Sequence, residues 1–180
     1  MTRSNKGRWV LILGGGRSGK SAKAEQLARA QADREVLYVA TAEPRDAEME
    51  ARVQRHRADR AGYGWRTLEA PTDTAARLRD ALVAQPPRAV VLDCLTILVS
   101  NVVCGLGEAP AAADAERQAV AAIESLMAVM RESDAHWYIV SNEVGLGLVP
   151  ATPLGRAFRD ALGRVNQRLR ALDGGQVRAH

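Results

Sequence analysis

Trp9-Val10-Leu11-Ile12-Leu13-Gly14-Gly15-Gly16-Arg17-Ser18-Gly19-Lys20-Ser21 is the stretch that decides the fold. Apolar residues run straight into a glycine-rich turn, and a helical pattern over Lys20–Gln31 follows. Residues 14–21 match G-x-x-x-x-G-K-[ST] in full, with the strand before and the helix after that the motif requires. Glycines let the backbone wrap a phosphate so that several N–H groups point inward. A helix starting near Gly19 presents its positive end to the same anion. Gly14, Gly15, Gly16, Arg17, Ser18 and Gly19 are therefore expected to cradle the phosphates. Lys20 is expected to reach the β- and γ-phosphates, and the Ser21 hydroxyl to ligate Mg2+.

Working outward, three more apolar runs read as buried parallel strands: Val36–Ala40, Ala89–Asp93 and Trp137–Ser141. Helical patterns separate them over Asp46–Arg60, Thr72–Val83 and Ala112–Met130, and a last one covers Leu154–Leu172. Strands alternating with helices predict an α/β fold, a mostly parallel sheet flanked by helices, with ligands at the carboxyl ends of the strands. Neither an internal repeat nor a linker divides the chain, so residues 1–180 read as a single nucleotide-binding domain. Residues 1–7 are expected to be loose. So are residues 173–180, where Val177 is the one large apolar residue.

Composition narrows the function. The chain of 180 residues is 47% hydrophobic and 26% charged, which is ordinary for a globular protein. A net charge of +4 suits an anionic small ligand and is too small to argue for nucleic acid, and 4% aromatics disfavour a stacking platform for single strands. Cys94 and Cys104 form no CxxC pair and no zinc spacing, and read as free thiols in a reducing compartment. The run Trp9–Leu13 is too short for a signal-peptide core or a membrane span, which leaves a cytoplasmic protein as the expectation.

Two further elements carry chemistry. Val90-Val91-Leu92-Asp93 reads as a buried strand ending in an acid that would hold the metal directly or through water, although a strand-end Asp is also a good helix N-cap. In Asp46–Arg60, Met49, Val53, His56 and Arg60 share one side of a helix, with Arg57 beside them, while Glu48 and Arg52 are spaced to pair on another side. Three roles for His56 stay open: a hydrogen-bonded core residue, a decoration on a solvated basic face, or a nucleophile whose neighbouring arginines hold the phosphates it attacks. Nearby arginines would help keep an imidazole neutral. His136, at a strand start, and His180, the last residue, do not sit among basic residues that could hold a phosphate. No N-K-x-D element is present to read guanine.

Several blocks together resemble the adenosylcobinamide kinase/adenosylcobinamide-phosphate guanylyltransferases of cobalamin biosynthesis. They are residues 14–21, Tyr38–Ala42, Asp46–Glu50, Arg52–Arg57, Trp65–Glu69, Leu92–Thr96, Ser141–Pro150 and Gly163–Leu169. The stretches Asn142–Pro150, which reads N-E-V-G-x-G-x-V-P, and Arg164-Val165-Asn166-Gln167-Arg168-Leu169 are far more distinctive than the phosphate loop. The resemblance implies a RecA-like P-loop NTPase domain and a homotrimer. It implies phosphorylation of adenosylcobinamide with GTP or ATP, then GMP transfer from GTP to adenosylcobinamide phosphate through a covalent GMP–histidine. That histidine falls on His56. The implied nucleotide contacts fall on the phosphate loop, on Thr41, Ala42 and Glu43, on Arg57, Ala58, Asp59 and Arg60, and on Glu69 and Asp93. Members of the family end in an apolar strand that Asp173–His180 barely supports. A simple small-molecule kinase with a structural histidine, or a nucleotide-binding module without turnover, would share the phosphate loop.

Overall fold

Strands buried on both faces have to be apolar along their whole length, and the four expected runs are the four inner strands of a sheet. The computed structural model describes residues 8–43, 47–144, 149–172 and 175–180, apart from the side chains of Glu48, Arg52 and Asp59. The expected Glu48–Arg52 pairing therefore lies outside the described residues. The elements are β1 (Trp9–Gly14), α1 (Lys20–Ala32), β2 (Val36–Ala40), α2 (Ala47–Arg60), β3 (Arg66–Glu69) and α3 (Thr74–Ala84). They continue with β4 (Ala89–Asp93), α4 (Leu95–Cys104), α5 (Ala112–Glu132), β5 (His136–Asn142), α6 (Pro153–Arg170) and β6 (Gly175–Ala179). The strands form one sheet in the order β3-β2-β4-β5-β1-β6, and every neighbouring pair is parallel.

The two faces of the sheet differ. Leu11, Leu13, Val39, Leu92, Trp137 and Ile139 point to a large core shared with α3, α4, α5 and α6. Ile12, Val36, Tyr38, Val91 and Val140 face the other way, under Ala24, Ala28 and Ala32 of α1. Small residues at helical spacing let α1 lie close to the sheet, which sets the phosphate loop at its own amino end directly on the rim.

Three elements escaped the periodic pattern. Leu95-Thr96-Ile97-Leu98-Val99 opens α4, a helix apolar nearly all round, and such a helix shows no amphipathic stripe. Strand β3 has only four residues with alternating cover, as an edge strand should. The last correction is β6. The sequence leaves residues 173–180 loose, yet Gly175–Ala179 pairs with Trp9–Leu13 in register. All its side chains are exposed, so hydrogen bonding to β1 places it rather than burial. Glycine is required at its start, because a Cβ on Gly175 would collide with the Trp9 indole.

Candidate active site

The register sets a row of residues along the carboxyl rim. Ala40 stands opposite both Glu69 and Asp93, and Asp93 opposite Val140, which in turn faces Ile12. Gly14 lies two positions beyond Ile12, opposite Asn142, where β1 turns into the phosphate loop. Gly19 takes φ 90°, a left-handed conformation that favours glycine, and it stands at the N-cap of α1 with no side chain to cap it. The first amides of α1 are thereby left to an anion. Gly15, Gly16, Arg17 and Ser18 are exposed, Gly14 and Ser21 half-buried, and Arg17 also has positive φ. Lys20 is buried, and its ammonium donates to the Gly15 carbonyl and to Ser18 Oγ at 3.3 Å. A buried cation with partners in the loop itself is placed to exchange them for phosphate oxygens.

Asp93 ends β4 and is not the cap of α4. Cys94 holds that position, and its side chain does not cap the helix. The carboxylate instead accepts a hydrogen bond of 2.6 Å from the Tyr38 hydroxyl, at Oδ2. The Arg60 guanidinium lies 3.5 Å from the centre of the Tyr38 ring and 3.6 Å from Glu25 of α1. Burial first, and then the Asp93 charge, push the Tyr38 phenol above its ordinary range. It therefore stays protonated and remains a donor at any physiological pH.

Thr41 is fully buried, and its hydroxyl is used internally. It donates to the Cys94 carbonyl at 2.7 Å and accepts from the Cys94 amide at 2.8 Å. Asn101 of α4 bonds the Thr41 and Pro71 carbonyls, each at 3.0 Å, and so ties together the chain leaving β2 and the chain leaving β3. Ala42 is half-buried and Glu43 exposed as the chain leaves the sheet.

Helix α2 matches its expected periodicity. Met49, Val53 and His56 are half-buried and Arg60 buried, while the other described side chains of the helix are exposed. Arg57 pairs with Glu69 at the end of β3. The carboxyl-terminal half of α2 is thus anchored to the rim through Glu69, to the sheet through Tyr38 and to α1 through Glu25. Ala58 is exposed, and the side chain of Asp59 lies outside the described residues.

The distinctive block Arg164–Leu169 holds the rim from beneath. Buried Asn166 accepts from Ser141 Oγ at 2.8 Å and donates to the Asn142 carbonyl at 3.2 Å. Thr96 Oγ1 accepts from the Asn142 amide at 2.7 Å. Residues 145–148 of the loop that follows, like Asp46, lie outside the described residues. Tyr38, Asn101 and Asn166 were not singled out from the sequence, because their roles arise from partners 24 to 60 positions away. His180 also differs from expectation. Read from the sequence, it does not sit among basic residues that could hold a phosphate, whereas β6 delivers it to the phosphate loop, where its amide bonds Leu13 O at 2.8 Å and its ring lies beside Gly19.

A phosphate cradle after β1, a carboxylate at the end of β4, the inner strand on the far side of β5, and an imidazole on a basic helix can together support phosphoryl or nucleotidyl transfer. Comparison with known proteins agrees. Residues 10–177 match the family model described as cobinamide kinase / cobinamide phosphate guanyltransferase. The chain is 43% identical over 157 residues to the bifunctional adenosylcobalamin biosynthesis protein CobP of Pseudomonas aeruginosa, covering 87% of this chain and 84% of that protein. It is 41% identical over 170 residues to the corresponding CobU of Salmonella typhimurium, covering 90% of each. Against CobU of Escherichia coli it is 39% identical over 169 residues, again covering 90% of each. The chain belongs to the cobinamide kinase / cobinamide phosphate guanyltransferase family.

Proposed function

We propose that the protein is a bifunctional transferase of cobalamin biosynthesis, working first as an adenosylcobinamide kinase and then as an adenosylcobinamide-phosphate guanylyltransferase. The observation that carries the second activity is the setting of His56. It is half-buried, on a helix anchored at the same carboxyl rim that bears the phosphate loop.

In the kinase half, the hydroxyl oxygen of adenosylcobinamide attacks the γ-phosphorus of GTP or ATP, and the nucleoside diphosphate leaves. Lys20 and the loop amides hold the outer phosphates and stabilise charge as it moves to the leaving oxygen. In the transferase half, a neutral His56 nitrogen attacks the α-phosphorus of GTP and pyrophosphate leaves. A phosphate oxygen of adenosylcobinamide phosphate then attacks the same phosphorus, giving adenosylcobinamide-GDP and free His56. Splitting the transfer into two displacements gives each a good leaving group.

Ser21 and Asp93 offer a hydroxyl and a carboxylate oxygen, the hard donors that Mg2+ takes alongside phosphate oxygens, and they fit it. When bound, Mg2+ would neutralise phosphate charge. Of the remaining nucleotide contacts, exposed Arg57, Glu43, Ala58 and Glu69 are assigned to the ligand-facing surface. Ala42 and Asp59 are assigned with them from the family. Thr41 and Arg60 are assigned an indirect role, through the strand ends and Tyr38. The homotrimer is likewise carried over from the family, and a cytoplasmic location is kept from the reading of the sequence. Among the described residues, no helix is long and apolar enough to cross a membrane.

Incubation with GTP labelled at the α-phosphate is expected to give an acid-labile, base-stable protein adduct. His56→Ala should abolish the adduct and spare phosphorylation of adenosylcobinamide. An adduct that persists in His56→Ala would show the nucleophile to be another residue. Phosphorylation with no adduct in the wild type would leave a simple kinase, and the lack of either activity a binding module.

A further inference from the structure

A carboxylate that receives a metal has two oxygens, and the protein decides which one the cation meets by occupying the other. At the end of β4, Tyr38 does this for Asp93. The phenol donates to Oδ2 at 2.6 Å, the length of a charge-assisted bond. Its ring is 3% exposed and sandwiched between α1 and the sheet, so the hydroxyl has little freedom to turn elsewhere. The outer face of the ring is covered by the Arg60 guanidinium, 3.5 Å from its centre, and Arg60 is itself only 7% exposed. Arg60 Nη1 is buried without a hydrogen-bond partner, and Glu25 stands 3.6 Å away, so the cation is held by the ring and by charge. A buried tyrosine needs some acceptor, and a backbone carbonyl would serve. Here the acceptor is the acid at the end of the inner strand, and the residue clamping the tyrosine ends the helix that carries His56.

We propose that Tyr38 is a positioning residue for the metal-binding acid. Its hydroxyl, with the ring held under Arg60, occupies Asp93 Oδ2 and presents the other carboxylate oxygen to the cation of the bound nucleotide. The inference rests on the assignment of Asp93 as a metal-binding group. Arg60, Tyr38 and Asp93 then form a chain of contacts from the last turn of α2 to the cation.

Tyr38→Phe removes the hydroxyl and keeps the stacked ring. Binding of Mn2+, whose preference for oxygen donors is that of Mg2+, is measured in the presence of GTP from the electron paramagnetic resonance signal of the free ion. Loss of the bond to a metal-holding carboxylate is expected to weaken Mn2+ about tenfold. In the same variant kcat for phosphorylation should fall with KM for adenosylcobinamide unchanged, which a general loss of packing would not produce. Arg60→Lys keeps the charge but not the planar stack, and should weaken Mn2+ in the same direction by a smaller factor. Wild-type Mn2+ affinity in both variants overturns the positioning role, provided that Asp93→Asn has lost binding. Wild-type affinity in Asp93→Asn overturns the metal assignment beneath it.

Discussion

Asn166→Ala tests how the carboxyl rim is held. Asn166 belongs to α6, is 8% exposed, and bonds both Ser141 Oγ and the Asn142 carbonyl at the end of β5. Truncation leaves the Ser141 hydroxyl, which is fully buried, with no acceptor, and strips one partner from a half-buried carbonyl. A buried polar group left unpaired costs about 1–3 kcal/mol. With the carbonyl counted at the low end because water can reach it, the loss sums to about 3 kcal/mol. For a chain of this size each kcal/mol lowers Tm by about 2–4 °C, so the variant should melt about 6–12 °C below wild type. Far-UV circular dichroism gives the melt. Adding Ser141→Ala removes the orphaned hydroxyl and should recover about 1 kcal/mol, a coupling that independent sites would not show. A melt for Asn166→Ala within about 2 °C of wild type would refute the assignment of Asn166 as the lock on this rim.

Arg60→Met removes the cation 3.6 Å from Glu25, whose side chain is 11% exposed, and strips the charge from the Tyr38 ring. A loss of about 2–4 kcal/mol is expected in urea unfolding, against under 1 kcal/mol for Arg57→Ala, whose pair is 45% and 58% exposed. Gly175→Ala drives a Cβ into the Trp9 indole and should free β6 from β1, seen as faster amide hydrogen exchange over residues 176–179 with the inner strands unchanged. Stability should fall as pH rises above 10. The folded protein holds the Tyr38 proton beyond the ordinary phenol value of 10.0, while the unfolded chain releases it there, so the unfolded state binds fewer protons. The contribution is complete below that pH, and Tyr38→Phe should flatten the alkaline slope. An unchanged slope would mean that the phenol ionises freely in the fold.

Local chemistry was legible wherever one short stretch supplies all the parts. The phosphate loop is such a stretch, since cradle, cation and helix start are consecutive residues. The inner strands are another case, because burial on both faces forces an unbroken apolar run. The covered side of α2 was legible too, from spacing alone. The edge strands gave no such signal: β3 is short and half-covered, and β6 is held by backbone bonds that have no residue signature. Helix α4, apolar nearly all round, was hidden for the opposite reason.

From its sequence alone, this chain determined a phosphate-binding α/β domain and, through helical spacing, the place of His56 on a basic helix. Tertiary structure alone decided that Tyr38 meets Asp93, that Arg60 stacks on the Tyr38 ring, that Thr41 spends its hydroxyl on Cys94, and that His180 arrives at the phosphate loop. Each of these is a pairing between elements far apart in sequence, set by strand order and register. A polar side chain's partner is a property of the packed neighbourhood, which no local pattern of residues encodes.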